Sequence, residues 1–297
     1  MSDAAPGFDE LNQRASSSGT SPLAEPVEGR LPLDQFSVPS NAGPLTAWRV
    51  QPVGEKKGNV VFIPGFTGSK EDFRLLLPRM AALGWDTVAY SQRGQYDSAA
   101  PAGVENYTLA ELAGDAANFA LGIFEHCGGE LVHLVGHSLG GLVAREAVLL
   151  RPDLFASVTM LCSGPGGRPG VHQEDGEFVA EHGPLGIWQR DNPDGAQSEE
   201  QVFLRERAAA SSPDAYLGGV SILQNTTDST SALAASGVPA LVAHGDTDDA
   251  WPISDQKLMA ERLGARYAVI PDAGHLPNID NPDYTARLLS DFCSANS

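Results

Sequence analysis

Cysteine is scarce in this chain: Cys127, Cys162 and Cys293 are the only three in 297 residues. They are odd in number, far apart and without a C-x-x-C spacing. That argues against a disulfide framework or a zinc cluster and points to a reducing compartment. Basic residues are also few. Nineteen Lys and Arg face 38 Asp and Glu, a formal charge of −19. Such a field repels phosphate backbones and anionic headgroups, so neither nucleic-acid binding nor membrane docking is expected. No uncharged apolar run approaches the ~20 residues needed to cross a bilayer. The first residues lack a basic segment followed by an apolar run, so no signal peptide is expected. The sequence thus reads as a cytoplasmic protein acting on a small molecule, a monomer or homodimer.

The chain is otherwise ordinary for a globular protein, 42% hydrophobic and 19% charged. Residues 1–30 are the exception. They are rich in Ser, Ala, Gly, Pro and acid, cannot bury enough surface to offset their ordering entropy, and are read as a flexible tail. From there apolar runs and amphipathic stretches alternate. Strands are expected over 31–38 and 45–50 with a turn at 40–43, then over 59–63, 85–90, 131–135, 158–162, 240–243 and 266–270. Helices are expected from Ser69 to Leu83, from Thr108 to Phe124, and over 139–150, 253–263 and 282–292. Strands alternating with helices imply an α/β fold, a mostly parallel sheet with helices on both faces. The regular alternation stops between 163 and 236. This stretch is rich in Gly, Pro and polar residues, with a helix expected at 199–210. It is too long for a plain connection and is read as a helical cap, leaving 31–162 and 237–297 as the core.

The sharpest chemical signal is Gly136-His137-Ser138-Leu139-Gly140, a G-x-S-x-G between an expected strand and an expected helix. The pentapeptide alone says little; its placement carries the weight. A sharp strand-to-helix turn needs small neighbours so that Ser138 stands clear of the backbone, and the helix N-terminus places positive potential beside a developing oxyanion. A serine hydroxyl needs a base. His275 follows the last short strand, in Pro271-Asp272-Ala273-Gly274-His275. By itself it is as readily a solvated turn residue; Ser138 upstream favours the base. The base needs an acid to fix its tautomer, and Asp246, Asp248 and Asp249 compete for that place. A metal site on His244, Asp246 and Asp248 would lack ligands, and neither metal nor cofactor is expected. One oxyanion donor is expected from the Leu139 N–H. The other is expected from the turn Pro64-Gly65-Phe66-Thr67-Gly68, at Phe66.

Taken together, these residues resemble the α/β-hydrolase superfamily in its serine-hydrolase branch, over residues 31–292. The order Ser138, acid, His275 matches the family's order. The resemblance implies that the acid closes a G-x-x-D after the penultimate strand, here Gly245-Asp246-Thr247-Asp248, which selects Asp248. The alternative position at the end of the sixth strand holds no carboxylate, since it reads Leu161-Cys162-Ser163-Gly164. It also implies a cap from about Ser163. The family's H-G before the oxyanion residue reads Pro64-Gly65 here, so the loop must be braced otherwise. Gln92-Arg93-Gly94-Gln95-Tyr96-Asp97-Ser98 resembles the family's R-G-x-G-x-S, with Arg93 expected to brace loops. Ser in place of Asp at the elbow argues against epoxide hydrolases and haloalkane dehalogenases. The expected activity is hydrolysis of an ester, lactone or thioester of a small, largely uncharged substrate. The alternatives are a C–C hydrolase or cofactor-free perhydrolase with the same triad, or a non-catalytic small-molecule-binding protein. Phe66, His137, Trp188 and Trp251 are expected to line the substrate pocket.

Overall fold

The structure, a computed structural model, describes residues 32–297. The expected flexible tail, 1–30, lies outside the described residues. β1 (Asp34–Ser40) and β2 (Gly43–Val50) form an antiparallel hairpin whose register pairs Ser40 with Gly43. Only Asn41-Ala42 remains for the turn, so both strands run further toward it than apolar spacing indicates. β3 (Gly58–Ile63) follows. The single helix expected from Ser69 is divided into a 3-10 turn over Lys70–Phe73 and α1 (Leu76–Ala82). Pro78 is the cause. It lacks an N–H and its ring would strike the carbonyl of Arg74, so the α-helix can begin only within a turn of it. β4 (Trp85–Tyr90), α2 (Leu109–His126), β5 (Val132–His137), α3 (Leu139–Leu150) and β6 (Phe155–Leu161) then alternate.

The stretch after β6 holds α4 (Gln173–Asp191), α5 (Glu199–Ala210), α6 (Pro213–Asn225) and α7 (Thr230–Ser236). Of these only α5 is legible from periodicity. α4 is kinked at Gly183, φ 70°, with Pro184 behind it, and α6 contains Gly218-Gly219. The chain closes with β7 (Ala240–Gly245), α8 (Ile253–Leu263), β8 (Arg266–Ile270), the short α9 (Pro277–Asp280) and α10 (Pro282–Ser294). α7 packs on α3 and α8. The inserted part is expected from the sequence to run to residue 236, and this helix is its last element. The entry of the insertion is clasped to the end of α6 where Gly167 N and Arg168 N donate to Thr226 O and Leu223 O, at 2.7 and 2.6 Å.

The eight strands form one sheet in the order β1-β2-β4-β3-β5-β6-β7-β8. The pairs β1–β2 and β2–β4 are antiparallel and the other pairs are parallel. Every residue of β4 and β5 is buried, the continuous apolar burial required of strands covered on both sides. The two-residue period divides them between two cores. Val61, Ile63, Leu134 and Val242 pack with α2, α3 and α8 through Phe119, Leu142 and Met259. Val60, Phe62, Val135 and Leu241 pack with α1 and α10 through Leu77, Met80 and Phe292. Each fully buried side chain of this size contributes about 1.5–3 kcal/mol. Arg93 fastens the edge of the sheet. Its guanidinium donates to both carboxylate oxygens of Asp115, to Glu111, to Asn41 Oδ1 and to Asn106 O. This joins the β1–β2 turn to α2 at the carboxyl end of β4.

Candidate active site

Ser138 joins β5 to α3 with φ 55° and ψ −123°, a conformation that costs an L-residue of order 1–3 kcal/mol. The bend persists because its surroundings dictate it. Ser138 N donates to Leu161 O at 2.9 Å and Gly141 N to Ser138 O at 2.8 Å. The flanking glycines are needed for clearance. A Cβ at Gly136 would stand 2.1 Å from Gly140 O, and one at Gly140 would stand 2.5 Å from Ile63 O and 2.6 Å from Pro64 O.

The bend puts Ser138 Oγ 3.0 Å from His275 Nε2, and His275 Nδ1 lies 2.8 Å from Asp248 Oδ1. A carboxylate only accepts, so Nδ1 carries the proton donated to Asp248 and Nε2 accepts from the serine hydroxyl. The Asp248 side chain is fully buried. It also accepts from Ala250 N at 3.1 Å and Gln256 Nε2 at 3.0 Å. Burial works to raise its pKa, but the hydrogen bonds from His275 and Gln256 outweigh it and hold the carboxyl below its ordinary value. The two competing acids sit elsewhere. Asp246 is exposed and accepts the N–H groups of Asp272 and Ala273, both at 3.2 Å, which fastens the loop carrying His275; Asp249 is exposed.

Above the sheet edge a cavity of about 360 Å³ opens between the core and α4–α6. Phe66 and Leu139 border it from the core, and Trp188, Ile187 and Tyr216 from the insertion. Phe66 is held against Tyr216 and His172, with ring centroids 4.6 and 5.1 Å away. Of the four expected pocket residues, Phe66 and Trp188 border the cavity, and the polar atoms of Trp251 and His137 are engaged elsewhere. Trp251 is buried against Gly164, where a Cβ would stand 2.1 Å from the indole, and its Nε1 donates to Gly166 O at 3.1 Å. It props the start of the insertion. His137 lies beneath the catalytic loop and donates from Nε2 to His275 O at 2.7 Å. Tyr216 and Ile187 had no readable signal, because the helices carrying them are interrupted by Gly and Pro.

His137, Cys162 and His275 each bring a potential ligand atom within 4.8 Å of the others. The donor chemistry does not fit a cation. Both His275 nitrogens and His137 Nε2 have partners, and burial beside Asp248 drives the Cys162 thiol well above its ordinary pKa. Among the described residues no helix is long and apolar enough to cross a membrane.

Two buried histidines set an acid limit on stability. Burial pushes both His133 and His137 from 6.5 down to about 4, with repulsion from His275 adding to the shift at His137. Between those values the unfolded chain binds protons that the folded chain refuses. Stability is therefore full above pH 6.5 and falls as the pH drops toward 4, by on the order of 2–3 kcal/mol per histidine. Urea unfolding followed from pH 7 to 4.5 checks this, and His133→Gln is expected to flatten the slope.

The model of the Alpha/beta hydrolase family matches residues 60–288. The chain belongs to that family. The 3-oxoadipate enol-lactonase 1 of Acinetobacter baylyi is 26% identical over 235 residues, 74% of this chain and 84% of the relative. An epoxide hydrolase of Caballeronia sordidicola is 28% identical over 235 residues, 78% of this chain but 59% of the relative. Among solved structures, the enol-lactonase from Burkholderia xenovorans LB400 superimposes with a TM-score of 0.70 at 20% identity, covering 86% of this chain and 98% of that one, and speaks for the fold alone.

Proposed function

We propose that this α/β hydrolase cleaves an ester-type bond, whether ester, lactone or thioester, of a small and largely uncharged substrate through an acyl-enzyme on Ser138. The observation that carries this reading is the unbroken relay from Ser138 Oγ to His275 Nε2 at 3.0 Å and from His275 Nδ1 to Asp248 at 2.8 Å. Ser138 attacks the carbonyl while His275 takes its proton, and buried Asp248 stabilises the imidazolium that forms. The N–H groups of Phe66 and Leu139 receive the oxyanion. Leu139 opens α3, where backbone N–H groups have no intrahelical acceptor. His275 returns its proton to the leaving group, then deprotonates the water that releases the acid.

The nucleophile argues against epoxide opening. A serine alkoxide that opened an epoxide would form an ether, which offers water no carbonyl to attack, so turnover would stop. Phe66, Tyr216 and Trp188 favour an apolar acyl group, and the charged wall residues Asp175, Asp191 and Arg207 are already paired with Arg190 and Asp72; the helices of the insertion serve as the cap. The formal charge of −19 supports an enzyme working on a free small molecule and not on a polyanion or membrane. Likeness to an enol-lactonase favours lactones within the ester class.

A fluorophosphonate probe followed by peptide mapping tests the chemistry, and p-nitrophenyl esters and lactones of graded size test the substrate class. The expected result is one adduct, on Ser138, with turnover of short and medium uncharged acyl groups. Labelling at another residue, or hydrolysis of vinylogous diketones without esters, would overturn the ester reading.

A further inference from the structure

We propose that Gln92 and Gln95 are positioning residues that aim the Phe66 N–H at the oxyanion; this rests on the acyl-transfer reading above. The loop Pro64–Gly68 begins with a proline, which has no N–H to tie it down. Its carbonyls are held instead. Gln92 Nε2 donates to Pro64 O at 2.9 Å and Gln95 Nε2 to Gly65 O at 2.8 Å. Gly65 O and Phe66 N belong to one planar trans peptide, so they point in opposite directions. A grip on that oxygen therefore fixes the direction of the Phe66 N–H. The loop lies against the nucleophile, since a Cβ at Gly65 would stand 3.0 Å from Ser138 Cβ. Donation to Gly65 O also polarises the same peptide and strengthens its N–H as a donor.

The two amides are themselves oriented. Gln95 Oε1 accepts from Gln92 N at 2.9 Å, which turns its NH2 toward the loop. Gln92 is buried, and its Oε1 has no partner among the described residues. Reversing that amide would set an oxygen against Pro64 O, so only one orientation serves. The platform beneath is rigid. Gln95 N donates to Gln92 O at 3.0 Å, Gly94 N to Ala99 O at 2.8 Å, and Ser98 Oγ to Ser91 O at 2.7 Å. The intervening Arg93 is locked to Asp115.

The variants Gln92→Met and Gln95→Met keep length and bulk but remove the donor. For an activated ester, kcat is expected to fall roughly 10- to 100-fold in each, less than the loss on deleting an oxyanion donor outright, with KM within about twofold. Affinity for an alkylboronic acid, which forms a tetrahedral adduct on the serine, should fall by the same factor as kcat/KM. Amide exchange over residues 64–68 should accelerate while the global unfolding midpoint holds. Unchanged kcat, or a loss that appears in KM with boronic-acid affinity intact, would overturn the proposal. A wild-type protein inert toward esters and fluorophosphonate would overturn the acyl-transfer reading, and exchange over 64–68 would then decide the brace by itself: unaltered exchange would overturn it.

Discussion

Ser138→Ala is expected to lower kcat for an activated ester by about 10⁴- to 10⁶-fold while leaving the unfolding midpoint close to that of the wild type. The hydroxyl hydrogen-bonds to His275 Nε2 alone among the described side chains. The bend itself is held by backbone bonds to Leu161 and Gly141 and by the clearance at Gly136 and Gly140, none of which uses Oγ. Alanine accepts the left-handed φ at a cost similar to that of serine. The variant therefore separates chemistry from folding. The activity that remains should come from water acting at the same oxyanion donors and should show no burst of acylation. Steady-state and pre-steady-state kinetics on the purified variant check this. Turnover within tenfold of the wild type would place the nucleophile elsewhere.

Much of the architecture follows from local pattern. β3, β5, β6 and β7 are largely buried runs because the middle of the sheet is covered on both faces, and α3 and α8 begin and end where their apolar stripes do. Failures occur where one residue changes the backbone outcome. Pro78 restarts α1, and Gly183-Pro184 hides α4 from any period. In the site, Ser138 and His275 were legible because a strand-to-helix turn and a loop after a strand are local features. The acid was not settled by spacing. Asp246 and Asp248 lie two residues apart, and in the sequence only the resemblance to a family motif separates them. The seat of Trp251 is likewise not legible in the sequence. An aromatic after a strand can turn to the cavity or away from it, and a slot made 87 residues earlier at Gly164 draws the indole inward. The glutamine clamp on Pro64 and Gly65 had no sequence signal, because its donors and acceptors are about thirty residues apart.

The three acids can be told apart by charge removal. Asp248→Asn is expected to reduce kcat about 10³- to 10⁴-fold, whereas Asp246→Asn and Asp249→Asn should stay within about tenfold of the wild type. Asp248 Oδ1 accepts from both His275 Nδ1 and Ala250 N, and Oδ2 accepts from Gln256 Nε2. An asparagine cannot present oxygen to all three donors. If its NH2 faces His275, the imidazole must carry its proton on Nε2, and it can no longer take one from Ser138. If its NH2 faces Gln256, that amide must reverse; its Oε1, buried and without a partner among the described residues, can then accept. The tautomer would survive this second arrangement, but the imidazolium formed during attack would have no counter-charge in a buried site. Either outcome strikes the step in which His275 gains a proton, so the loss should fall on kcat with little change in KM. Among the described residues the Asp246 carboxylate accepts from the amides of Asp272 and Ala273, and its loss should loosen the histidine loop by about 1 kcal/mol without removing charge from the imidazole. If Asp246→Asn and Asp248→Asn lost activity equally, the acid would be serving the loop and not the imidazole, and the assignment of Asp248 would fail.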